Sequence, residues 1–180
     1  MNKDHTDQNL KAGTNYGFCF HTEPDHPIIK KVYAYWQKQA GDREMPFFGD
    51  IDPIDIPALM PHVTIGEIID RKNMSIRVRL FGTALSQVTG EDRTGMTLEQ
   101  KSHEAEPPDR QEMIIRWRFL ALKCIEEERP LFTTRVHSNP SREFLTTHTA
   151  VLPLSASSGK VERIMAAMAT VSNTKPPQDP

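Results

Sequence analysis

The sequence predicts an α+β fold: a five-stranded antiparallel sheet with helices on one face and an N-terminal helix. Three observations lead there. Residues 63–69 and 76–81 are short apolar segments joined by a polar turn, the pattern of a hairpin. Residues 131–137, 143–154 and 161–171 are β-rich and separated by turn signals at Asn139-Pro140 and 155–160. The helical stretches fall between these two sets, so strands and helices are segregated rather than alternating as parallel βαβ units.

Each element has a local reason. Residues 1–24 are polar and aperiodic and read as a flexible tail, although its end, Tyr16-Gly17-Phe18-Cys19-Phe20, is apolar enough to dock on something. The domain proper runs over 25–172. Pro27 suits a first helical turn with Asp25 as its cap, Ile28, Val32, Tyr35 and Trp36 recur at helical spacing, and Gly41 ends the run. Pro46, Pro53, Pro57 and Pro61 forbid a long helix or a central strand in the next stretch. In the second strand Ile76, Val78 and Leu80 alternate with Arg77 and Arg79. A short helix over 84–89 stops at Gly90. Pro107-Pro108-Asp109 opens the longest helix, which reaches about residue 128 before Pro130. Met113, Trp117, Leu120, Ala121 and Cys124 form its main stripe, and Ile115, Phe119 and Leu122 a second apolar set. A helix apolar on two sides must be covered on two sides, here by the sheet and by another chain or the N-terminal tail. Residues 173–180, with three prolines, form a disordered tail.

Composition excludes several classes of function. Of 180 residues, 37% are hydrophobic and 26% charged, as in a folded soluble domain. Lys+Arg 22 against Asp+Glu 24 leaves a net charge of −2, so no global positive field attracts nucleic acid. No apolar run approaches the ~18–20 residues that span a bilayer, and the N-terminus has no signal-peptide core, so no membrane insertion is expected. The two cysteines, Cys19 and Cys124, lie in unlike settings, which argues against a disulfide and for a reducing, cytoplasmic setting.

Five spaced motifs carry a resemblance. They are Met45-Pro46 with Asp50-Ile51-Asp52-Pro53, Ile56-Pro57 and Leu59-Met60-Pro61-His62; the stretch 77–83, Arg-Val-Arg-Leu-Phe-Gly-Thr; the loop 90–95, Gly-Glu-Asp-Arg-Thr-Gly; Leu152-Pro153-Leu154; and Val161-Glu162-Arg163-Ile164. In this order, with two strands, a helical middle and three strands, the chain resembles a bacterial family of small single-domain PAS proteins over residues 28–171. The resemblance implies a sensor or interaction module for signal transduction, with a small-molecule ligand held between sheet and helices. It also implies a homodimer formed through a helix ahead of the first strand, or a signalling partner protein. Because the chain stops soon after its last strand, no effector domain of its own is expected.

Candidate residues follow. Phe81, Trp117, Phe144 and Met165 are placed to line or fill the cavity. Thr146 and His148 share a strand face with Phe144, and if that face lines the cavity His148 is its polar anchor. Tyr33, Tyr35 and Trp36 either cover the outer face of the sheet or, with Ile115, Phe119 and Leu122, meet a partner. The ligand's identity is left open, but two cofactors are disfavoured. The helix after the second strand lacks the cysteine of the flavin-binding photoactive relatives, and Cys124 sits on an apolar stripe. His103, the histidine best placed for haem, lies in a polar segment. The histidines show no metal-binding spacing, and no nucleophile elbow or phosphate loop is present, so no catalytic residue is assigned. A small isomerase or hydrolase using the same cavity would need two titratable groups within hydrogen-bond reach, and a ligand-free scaffold would fill the cavity itself. Arg77 and Arg79 read as ion-pair partners of a carboxylate such as Asp92. If Trp117 packs on the sheet, Trp117→Ala costs about 3–5 kcal/mol; an unchanged melting midpoint would argue against that placement.

Overall fold

The computed structural model describes residues 16–100, 110–136, 145–156 and 159–172. Six strands form one antiparallel sheet: β1 (Cys19–His21), β2 (Val63–Asp70), β3 (Ser75–Phe81), β4 (Leu131–Val136), β5 (Leu145–Ser155) and β6 (Val161–Ser172). Their order across the sheet is β1-β4-β5-β6-β2-β3. The helices are α1 (Pro27–Ala40), α2 (Thr83–Thr89) and α3 (Arg110–Glu127). The five expected strands are all present. The sixth is new: within the segment expected to be a tail, Cys19, Phe20 and His21 pair with Thr134, Thr133 and Phe132.

Strand alternation splits the sheet between two layers. On one face Ile65, Met165 and Leu152 lie side by side across β2, β6 and β5, and Val63 pairs with Ala167. This face is covered by α1, which buries Ile29, Val32, Tyr35, Trp36 and Ala40. Trp36 donates its indole N–H to the Pro153 carbonyl at 2.9 Å. The Tyr35 hydroxyl donates to the Asp52 carbonyl at 3.2 Å and accepts from the Asp52 amide at 2.9 Å, which ties the proline-rich stretch to the helix. That stretch holds three 3-10 turns, at Phe48–Asp50, Pro53–Asp55 and Met60–His62, as its prolines require. The α1 cap differs from the expectation: the acceptor is His26, whose side chain takes the Ile28 amide, while Asp25 is engaged elsewhere.

On the other face lies α3. Leu120, Ala121 and Cys124 are buried against the sheet. Its second apolar side is met by the N-terminal segment: the Phe119 ring lies 5.0 Å from Tyr16, 6.4 Å from Phe18 and 6.3 Å from Phe20. The edges of the five expected strands are also covered. β1 pairs with β4, and residues 95–98 run along β3, where Val78 donates to Met96 and accepts from Gly95, and Leu98 donates to Ile76. Capping an edge in this way prevents pairing with foreign strands.

Gly82, at the exit of β3, is forced by close approach. A Cβ there would collide with the backbone carbonyl oxygens of Met60 and Pro61, which belong to a proline-fixed turn and cannot retreat. Gly82→Ala is expected to destabilise the fold by about 3 kcal/mol, the upper part of the range for overpacking, read as a fall in the denaturation midpoint.

Candidate functional site

Between the α3 side of the sheet and α3 itself lies a narrow cleft of about 60 Å³. Its sheet wall comes from Thr64 and Gly66 of β2, Ile76, Val78 and Phe81 of β3, and Ile164 and Ala166 of β6. Met113, Ile114, Trp117 and Ala121 form the helical wall. These sheet residues face α3 because they alternate with the α1-facing set, and a register shift between Ile65 and Gly66 lets both Val78 and Phe81 face the cleft. The remaining lining residues are Thr89, Arg93 and Leu98.

The polar groups at the cleft are already occupied. The Thr64 hydroxyl donates to the Leu80 carbonyl at 2.8 Å, and Thr89 donates to the carbonyls of Leu85 and Glu91 at 2.9 and 3.0 Å. Arg93 is 3% exposed. One of its amino groups donates to the carbonyls of Thr97, Leu98 and Gln100 at 2.9, 2.9 and 3.1 Å, and the other pairs with Glu91. Arg93 thus pins the segment that covers the edge of β3. Sequence reasoning missed this role, since an arginine in a Gly/Asp-rich loop reads as solvated; the signal was its place in a motif beside Glu91.

The candidates from the sequence divide between the two faces. Phe81 and Trp117 line the cleft. Met165 does not: it is fully buried on the α1 face, beside Ile65 and Leu152. Thr146 and His148 share that face. His148 makes a 2.7 Å contact through Nδ1 with Asp25 Oδ1 and so anchors the segment entering α1. Phe144 and His103 lie outside the described residues. Tyr35 and Trp36 are buried beneath α1, and Tyr33 packs edge-on against Phe132 at 4.8 Å. Tyr35 and Trp36 therefore cover the sheet within one chain, and Tyr33 stays half-buried beside them. Phe119 is covered by the N-terminal rings, whereas Ile115 and Leu122 stay half-buried on α3.

Other expectations are settled by geometry. Arg79 pairs with Glu67 at 2.6 Å, not with Asp92, and Arg163 reaches the same carboxylate at 3.0 Å. The Arg79 hydrogen bond, then that of Arg163, outweighs burial and holds Glu67 below the usual carboxylate range. His62 contacts the Met168 carbonyl through Nδ1 at 3.1 Å, a structural hydrogen bond. Cys124 is fully buried, and burial followed by the nearby Glu127 charge pushes its thiol up to about 12. A thiol so protonated is a poor nucleophile. Among the described residues no group of three His, Cys, Asp or Glu side chains is placed to hold a metal ion. No helix among them is long and apolar enough to cross a membrane.

A sheet of this order, with a helical middle and a cleft between them, meets the family expectation, and a family model described as PAS domain matches residues 24–169. The chain belongs to the PAS domain family. Among solved structures, this PAS domain is similar to an RNA-binding Light-Oxygen-Voltage receptor at 13% identity and a TM-score of 0.41, over 71% of this chain and 36% of that one. It is also similar to a fungal LOV domain photoreceptor at 16% identity and a TM-score of 0.40, over 79% of this chain and 92% of that one. A comparison with curated proteins gave no match.

Arg93→Met is expected to cost about 3–5 kcal/mol, because it strands Glu91 and three carbonyls that a methionine cannot satisfy. Chemical denaturation measures this directly; a midpoint equal to that of the native chain would show that the guanidinium does not hold the 97–100 segment.

Proposed function

We propose that this PAS domain is a sensor or interaction module of a cytoplasmic signalling system, that it performs no catalysis, and that its recognition element is the cleft between the sheet and α3. One observation carries the reading. The cleft is walled by apolar side chains, and among the described residues its only charged lining residue, Arg93, is committed to the backbone and Glu91. An enzyme would need two groups able to exchange protons across a bound substrate. An apolar wall with spent polar groups suits recognition of an uncharged, apolar molecule.

Size limits that molecule. Sites for drug-sized ligands measure about 300–1,000 Å³, so a cleft of about 60 Å³ takes only a diatomic or a very small hydrocarbon as it stands. Anything larger requires α3 to swing away from the sheet. Since Phe119 on α3 bears on Tyr16, Phe18 and Phe20, such a movement would be felt by the N-terminal strand. Output then passes to a second copy of the chain or to a partner protein, with the half-buried Ile115 and Leu122 on α3 as contact candidates. The small volume also favours a second reading, a scaffold whose cavity is filled by its own side chains.

Xenon separates open from filled, because dry apolar cavities bind it. Under xenon pressure the methyl resonances of Ile76, Val78, Ile114 and Ile164 are expected to shift, while those of Ile29 and Leu152 across the sheet stay in place. No shift, or shifts scattered over both faces, would overturn the cleft as a binding element. Native mass spectrometry of protein taken from cells then weighs any retained molecule and counts subunits together; a bare mass favours the scaffold.

A further inference from the structure

On the opposite face from the cleft, four histidines and one aspartate gather where the chain passes from β1 into α1. His26 ends this passage. Its Nδ1 accepts the Ile28 amide at 3.2 Å, so the N-cap of α1 is an imidazole lone pair. The usual caps, Ser, Thr, Asp and Asn, keep their acceptor at every physiological pH. A histidine cap loses it on protonation, because both ring nitrogens of the imidazolium are donors. The neighbouring Pro27 lacks an N–H, which leaves Ile28 as the first amide to be satisfied.

The surroundings decide how this cap responds. The His148 ring of β5 lies 5.1 Å from that of His26, and its Nδ1 sits 2.7 Å from Asp25 Oδ1. The other titratable groups bearing on the cluster are His62, whose Nδ1 contacts the Met168 carbonyl, and His21 of β1, whose Nε2 contacts the Thr134 hydroxyl at 2.8 Å. Two imidazolium rings at 5.1 Å repel each other, and a positive charge on His26 also faces the positive end of the helix dipole. Asp25 pulls the other way.

We propose that His26 is a proton-operated cap. Its neutral ring closes the first turn of α1, and its protonation opens that turn while the Asp25–His148 pair keeps the entering segment seated on β5. The opening is therefore local and reversible. Burial first, then the His148 and His62 charges, outweighs Asp25 and holds the His26 pKa below the ordinary histidine value. The unfolded chain thus takes up this proton at higher pH than the folded one. Stability supplied by the cap is complete above the ordinary histidine range and declines as pH falls through it, until the folded ring is itself charged. Burial pushes Asp25 up, but its hydrogen bond to His148 and the charge there more than offset this and hold it below the usual carboxylate value. Asp25 thus stays ionised while His26 titrates, so the anchor outlasts the cap.

Hydrogen exchange at Ile28, corrected for the intrinsic rate, tests the cap. In the native chain, protection at Ile28 is expected to fall roughly fivefold between about pH 7.5 and 5.5, the loss of one N-cap. His26→Asp, which offers an ionised acceptor throughout, should hold protection constant. His148→Asn removes the neighbouring imidazole and should move the midpoint of the fall to higher pH. Protection that is flat with pH in the native chain, an equal fall in His26→Asp, or an unmoved midpoint in His148→Asn would each overturn the proposal. If a variant does not fold, the native chain still decides: the amide shift of Ile28 should titrate with the same midpoint as the His26 ring, and separate midpoints would overturn it.

Discussion

The five-strand sheet β4-β5-β6-β2-β3 must shield two apolar faces and two edges, and most of the other described segments answer one of those four needs. One face is closed by α1, fixed by the Trp36 indole on the Pro153 carbonyl. α3 closes the other through Leu120, Ala121 and Cys124. The edge of β4 is closed by β1, and that of β3 by the 95–98 segment held down by Arg93. Left open, each would present apolar surface or unpaired backbone groups.

The two faces have divided their chemistry. Toward α3 the sheet presents small and apolar groups, and what remains between them is a thin cleft whose polar atoms are spent locally. Toward α1 it presents a filled layer of Met165, Leu152 and Ile65, on which Trp36 of α1 packs, with the titratable cluster at the entry to the helix. The cleft can change only by moving α3, whose far side bears on the N-terminal rings. The helix cap can change by taking one proton.

Much of the fold was legible before any coordinates. The strand at 76–81 declared itself by alternation, the long helix by its apolar stripe at Met113, Trp117, Leu120, Ala121 and Cys124, and its second apolar side by Phe119, which asked for a second cover and received the N-terminal segment. The site was legible only in part. Phe81 and Trp117 were found because large aromatics on the hairpin and the long helix face the interior. His148 was a cavity anchor only on condition that its strand face lined the cavity, and Met165 only a cavity-filling candidate; both lie on the α1 face, and the run Thr146-Thr147-His148-Thr149 carries no alternation that says which side is which. Tyr35 and Trp36 were excess apolar surface only so long as the sheet face beneath α1 went uncounted.

By itself, then, the chain determined its three helices, five of its strands, their order and the family they belong to, since those rest on local periodicity, prolines and turn residues acting within a few positions. Only the tertiary structure decided which parity of β5 faces α1, that Arg93 is buried as a backbone clamp, and that His26 rather than Asp25 caps the helix. Each of those depends on partners far along the chain or on the exact path of a loop: β5 lies more than a hundred residues from Asp25, and no local pattern encodes a contact across that distance.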